Sequence, residues 1–140
     1  MQTIWSPNGA TINVSTSTKN NLFDLRQGAY SSVDMITPPS QTTYTGKNNV
    51  AIAYGSIVDT VIGGAGNDII YANADGDMID GGGGANTVYL PGSQSDWTIT
   101  TDSATGAQLA RNNATNKVTT LKQVQTIAYY NPITTALTHA

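Results

Sequence analysis

Residues 62–90 read IGGAGNDIIYANADGDMIDGGGGANTVYL, and the stretch repeats every nine residues. Cut at that period it gives GGAGNDIIY (63–71), ANADGDMID (72–80) and GGGGANTVY (81–89). The first copy fits G-G-x-G-x-D-x-U-x at every fixed position, where U is a large apolar residue. In each copy the first six residues are turn formers and the last three suit a short strand. Val61, Ile70, Ile79 and Val88 stand nine apart, so each lands above the last and points into one core. A single coil cannot bury that face alone, so the repeat predicts a stack of coils, a parallel β-roll. A flexible Gly/Asp linker has no reason to keep an aliphatic residue at every ninth position.

The same spacing predicts a cation. Glycine permits positive φ and lets backbone carbonyls converge where a Cβ would clash. Carbonyls and carboxylates are hard oxygen donors, and Ca²⁺ takes about 6–8 of them. Successive turns fall on opposite sides of a roll, so turns eighteen residues apart share an edge. Turn 63–68 therefore pairs with turn 81–86. Gly63, Gly64, Gly66 and Asp68 face Gly81, Gly83 and Asn86, with Asp68 the strongest single ligand in the chain. Asn86 keeps an oxygen at position six but no charge, so this site is expected to be weaker than one with two carboxylates. On the other edge Asp59, at position six of a degenerate turn 54–59, pairs with turn 72–77, which has lost the glycines of positions one, two and four but carries Asp75 and Asp77. The sequence thus predicts one good calcium site at Asp68/Asn86 and a second at Asp59/Asp77. The affinity expected is the weak range of extracellular modules, about 10⁻⁴ to 10⁻³ M. Asp80 falls in a strand position and reads as a solvated charge.

Charge placement agrees. No Lys or Arg lies between Lys47 and Arg111, an interval that holds Asp59, Asp68, Asp75, Asp77, Asp80, Asp96 and Asp102. A divalent cation would remove that self-repulsion and cross-link adjacent coils, so folding is expected to depend on calcium. The net charge of −3 and the lack of a basic cluster exclude nucleic acid and anionic membrane surfaces as natural partners. There is no Cys, hence no disulfide. The N-terminus shows no charged segment followed by an apolar one, so no cleavable signal is expected, and no run approaches transmembrane length.

At 140 residues the chain has room for one domain with a real core. Ser, Thr, Asn, Gly and β-branched residues dominate, so the fold class is all-β: a parallel β-roll flanked and capped by antiparallel strands. Residues 1–53 should supply N-terminal strands at 3–5, 11–14, 22–25 and 50–54, with a polar loop at 37–49. The roll should occupy 54–90 and stop at Pro91-Gly92. Residues 91–130 should form an antiparallel meander with strands at 97–101, 108–111, 118–121 and 126–130. The polar tail 131–140 has no periodicity and is expected to be loose.

Several strings then carry a resemblance: T-I-W at 3–5, F-D-L-R-Q-G-A-Y-S-S at 23–32, N-V-A-I-A-Y-G at 49–55 leading into I-G-G-A-G-N-D at 62–68, S-D-W-T-I-T at 95–100 and T-L-K-Q-V-Q-T-I-A-Y at 120–129. Over nearly its whole length the chain resembles the C-terminal RTX domain of serralysin-type secreted bacterial metalloproteases. That resemblance implies structural Ca²⁺, a covalently linked catalytic or passenger domain, and export to the extracellular space by type I secretion machinery without a cleaved signal. It also implies folding only after arrival outside. The chain departs from the pattern in three places. Turn 6–10 has no Asp, turn 72–77 lacks the repeat's glycines at positions one, two and four, and the C-terminus lacks an acidic, aliphatic ending.

The protease half of such proteins is not represented. There is no H-E-x-x-H, and His139 is the sole histidine, expected to be solvated in the tail. No G-x-S-x-G presents a nucleophile, and the Gly81–Gly84 run lacks the Lys-Ser/Thr of a phosphate loop. Trp5, Trp97, Tyr129 and Tyr130 read as strand packing. The expectation is a non-catalytic calcium module, with a self-standing surface or matrix adhesion module as the alternative.

Overall fold

Val61, Ile70, Ile79 and Val88 are all fully buried, and the fold is built around them. The computed structural model describes residues 2–34 and 47–139. Along the chain its strands are β1 (Gln2–Ile4), β2 (Thr11–Asn13), β3 (Leu22–Asp24), β4 (Tyr30–Ser31), β5 (Val50–Ile52), β6 (Thr60–Ile62) and β7 (Ile69–Tyr71). They continue as β8 (Met78–Asp80), β9 (Thr87–Pro91), β10 (Trp97–Thr101), β11 (Gln108–Asn112), β12 (Val118–Lys122) and β13 (Thr126–Tyr130). The architecture is an all-β parallel β-roll. β6 pairs in parallel with β8 and places Val61 beside Ile79; β7 pairs in parallel with β9 and places Ile70 beside Val88. The chain crosses between two facing sheets at every turn, so the nine-residue ladder feeds one core from both sides.

The roll is longer than the repeat that announces it. β2 adds in parallel to β6, and β3 to β7, which makes a coil ahead of the repeats. The turn between β2 and β3 has eight residues rather than six, so the nine-residue period is lost there. Beyond the repeats, β12 adds in parallel to β8 and β13 to β9, with Leu121 beside Ile79 and Ile127 beside Val88. The two sheets therefore run β10-β11-β12-β8-β6-β2 and β13-β9-β7-β3. The antiparallel meander holds for β10, β11 and β12. It fails for β13, and the stack does not end at Pro91 but resumes at β12. Alternating apolar residues look the same in parallel and antiparallel strands, so the sequence alone does not choose the partner.

Phe23, Leu25, Ile52, Val58, Leu90, Ala110 and Leu121 complete the buried core between the sheets. A third small sheet, β1-β5-β4, lies toward the N-terminal end. Its two-residue strand β4 runs antiparallel to β5, and a Leu22–Ser32 bridge ties it to β3. The expected loop 37–49 falls largely outside the described residues; Lys47 and Asn48 form a turn into β5.

The tail is held rather than loose. The Arg26 guanidinium donates from Nη1 to the Thr135 carbonyl at 2.9 Å and from Nη2 to the Ala136 carbonyl at 2.8 Å. The Tyr30 amide donates to the Leu137 carbonyl, and the His139 amide to Asn48 Oδ1. Those carbonyl partners are distant in sequence and leave no periodic trace.

Candidate calcium sites at the two edges of the roll

The turns stack along two edges. On the first, turn 81–86 lies on turn 63–68: the Gly83 amide donates to the Gly64 carbonyl at 2.8 Å, and the Ala85 amide to Asn67 Oδ1 at 2.8 Å. Gly82, at φ +73°, must be glycine, because a Cβ there would collide with the Gly64 carbonyl oxygen. A Cβ on Gly63 would lie 2.5 Å from the Gly81 carbonyl oxygen and 2.6 Å from Asp68 Oδ2. The absent side chain thus lets a carbonyl and a carboxylate oxygen share one small space, as a hard cation needs.

Asp68 is buried on this edge. Its Oδ1 accepts from the Asn21 amide at 2.8 Å and from Asn21 Nδ2 at 2.9 Å, and its Oδ2 accepts from the Gly64 amide at 3.2 Å. Burial raises its pKa, and those three donors oppose the rise. Asn86 is fully buried beneath it. Its Oδ1 accepts from the Asp68 amide at 2.9 Å, while its Nδ2 donates to the carbonyls of Gly83 at 2.9 Å and Gln123 at 3.0 Å. The edge brings together Gly63, Gly64, Gly66, Asp68, Gly81, Gly83 and Asn86: a Cβ on Gly84 would meet the Gly66 carbonyl, and Cβ atoms on Gly64 and Gly66 would meet the Ser17 and Lys19 carbonyls of the preceding coil. Asn21 and Gln125 are partners that the repeat did not reveal. The available signal was position: each immediately precedes a strand, as Asp68 and Asn86 do.

On the second edge turn 72–77 lies beside turn 54–59. The Met78 amide donates to the Asp59 carbonyl at 2.7 Å, and Asn73 Nδ2 donates to the Val58 carbonyl at 3.0 Å. Asp77 is 2% exposed. Its Oδ2 accepts from the Asn73 amide at 3.0 Å, but among the described residues its Oδ1 has no hydrogen-bond partner. Leaving such an oxygen unpaired in the interior is costly. Burial first, then the charges of Asp75 and Asp59, pushes its carboxyl up to about 8. Asp77 opens on a cleft of about 250 Å³ lined by Asp59, Thr60, Gly76, Met78, Val118 and Thr120. An unpaired buried carboxylate oxygen beside a second carboxylate and two threonines is a donor set that suits Ca²⁺. Asp75 sits apart at the surface and pairs with Lys117 Nζ at 3.3 Å. Among the described residues no three carboxylate or imidazole side chains gather at one point, so each edge offers one or two carboxylates with neutral oxygens.

Other expectations meet the structure as follows. Asp80 is partly buried and its Oδ1 accepts from the Gly82 amide at 3.0 Å. Trp97 and Tyr130 are buried, but Trp5 is 69% exposed and so is not strand packing. His139 is not free in solvent: its Nε2 lies 2.8 Å from Asp24 Oδ2 and its ring stacks on Tyr71. Asp24 already takes Arg26 at both oxygens. Among the described residues no helix is long and apolar enough to cross a membrane.

Residues 55–88 match the family of RTX calcium-binding nonapeptide repeats, in four copies. No match to a curated protein was found. The repeats in this stretch are calcium-binding repeats.

Proposed function

We propose that the chain is a non-catalytic module whose folding is coupled to Ca²⁺, and that it supports the secretion, folding and stability of a protein exported to the extracellular space. The observation that supports this most is the pair of stacked turn edges, where buried Asp68 and Asp77 sit among carbonyls with no Lys or Arg between Lys47 and Arg111 to neutralise them. Gly63, Gly64, Gly66, Asp68, Gly81, Gly83 and Asn86 on one edge, and Asp59 and Asp77 on the other, are the residues of the two calcium-repeat edges, with Asp75 turned outward to Lys117. Bound Ca²⁺ supplies positive charge between turns that are far apart in sequence. The chain's part is to bring those oxygens together only when the coils stack. In a low-calcium cytosol the chain stays unfolded and fit for a type I exporter; outside, calcium closes the roll. The serralysin-like resemblance makes a zinc protease the proposed covalent neighbour.

A passenger enzyme fused ahead of residue 1 tests this. It should regain more activity on dilution from denaturant into millimolar calcium than into chelator. Equal recovery in both would contradict the chaperoning role.

A second reading is a surface or matrix adhesion module. Trp5 and Tyr54 favour it: they are 69% and 74% exposed and lie in the turns that follow the paired strands β1 and β5. Loss of binding to a cell surface in a Trp5→Ala, Tyr54→Ala variant that still folds would support that reading.

A further inference from the structure

We infer that calcium acts on the Asp59/Asp77 edge, and that a ladder of side-chain amides closes the Asp68 edge without it. The inference rests on the calcium-coupled folding proposed above and assigns it to one side of the roll.

The residue just before each strand forms the ladder on the first edge. Asn86 donates its amide N–H to Gln125 Oε1 at 2.6 Å, Asp68 donates to Asn86 Oδ1 at 2.9 Å, and Asn21 donates to Asp68 Oδ1 at 2.8 Å. Asn21 Oδ1 in turn accepts from the Asp34 amide at 2.7 Å. Every coil is thereby linked to the next by one side-chain oxygen. The amide nitrogens complete the set. Asn86 Nδ2 takes the carbonyls of Gly83 and Gln123, and Asn21 Nδ2 takes the Lys19 carbonyl and Asp68 Oδ1. An –NH₂ group thus occupies, from within the chain, the electropositive place among carbonyls that a cation would otherwise hold. Asp68 is the single charge in this ladder, and both of its oxygens have protein donors.

By register the corresponding residues on the second edge are Ala10, Asp59, Asp77 and Thr119, with no side-chain amide among them. Thr119 Oγ1 accepts from the Asp77 amide at 3.3 Å, and Asn73 Nδ2, earlier in the turn, donates to the Val58 and Leu25 carbonyls, but neither reaches Asp77 Oδ1. Asp77 and Asp59 face the same cleft, and Asp77 Oδ1 is buried without a donor. Asp75, the nearest further carboxylate in that turn, is held outward by Lys117. The chain closes one edge itself and leaves the other open to a divalent cation.

Full-length chains carrying Asp77→Asn, Asp68→Asn or Asn86→Asp decide the matter, melted in EDTA and in calcium and titrated with calcium by calorimetry. Asp68→Asn should keep most of the calcium-dependent rise in Tm, and Asp77→Asn should lose it. Asn86→Asp, which replaces an amide rung by a carboxylate, should melt lower than wild type in EDTA and take up about one further calcium. Loss of the calcium response in Asp68→Asn, or its survival in Asp77→Asn, would overturn the assignment. Should Asp77→Asn fail to fold, an unchanged calcium count in Asn86→Asp would overturn it equally. A wild-type chain whose Tm ignores calcium would instead bring down the calcium-coupled reading itself.

Discussion

Asp77 holds a buried carboxylate oxygen that no donor among the described residues reaches, and its acidity is shifted first by that burial. Burial pushes its pKa up from 3.8 to about 8, so the calcium-free fold favours the protonated carboxyl. A raised carboxyl stabilises the fold fully below its unfolded value and loses that contribution as pH climbs through the folded one. In EDTA, thermal stability should therefore fall as pH rises from about 4 to about 8. Asp68 is shifted in the same direction by its own burial. Asp77→Asn should flatten most of the profile; an equally steep profile in that variant would show that other groups set it. At Gly82 the close stacking of turns is tested without any charge. Gly82→Ala places a Cβ against the Gly64 carbonyl at φ +73° and should cost more than about 1 kcal/mol in denaturant unfolding. Both residues follow from the nine-residue pattern; Asn21 and Gln125 do not, because no glycine turn precedes them to mark their place.

The elements divide along the same line. β6 to β9 are legible in the sequence because Val61, Ile70, Ile79 and Val88 keep one period and each fills the shared core. Ile79→Ala should cost about 2–5 kcal/mol, since the side chain is fully enclosed and its neighbours belong to strands on either side. β12 and β13 read correctly as strands but not as coils of the roll, because their parallel partners β8 and β9 lie across an inserted hairpin. The tail hides its role for another reason: its order depends on Arg26, more than a hundred residues away. Arg26→Ala would leave Asp24, whose side chain is fully buried, with His139 as its remaining ionisable partner, and would free the carbonyls of Thr135 and Ala136. Breaking a buried pair of this kind costs about 3–5 kcal/mol, so Tm should drop and amide exchange across 131–139 should accelerate. Unchanged exchange there would mean that the tail is held by something other than the guanidinium.

At the scale of the molecule, two sheets face one core while acidic turns crowd the edges. The hydrophobic ladder favours stacking, and the buried carboxylates of Asp68 and Asp77 oppose it. Each buried Val or Ile contributes about 1.5–3 kcal/mol. A ligand held only by the folded state at a hundred times its Kd adds about 2.7 kcal/mol, enough to shift a marginal domain decisively. Calcium suits this task better than magnesium, because it accepts irregular sets of carbonyl and carboxylate oxygens, whereas magnesium demands a tight octahedron and keeps its water. Far-UV circular dichroism of the whole chain in EDTA, titrated with Ca²⁺ and separately with Mg²⁺, tests the central claim most directly. Calcium-coupled folding predicts a cooperative passage from coil to β-sheet with calcium and little change with magnesium. A chain already fully β in EDTA and indifferent to calcium would contradict it.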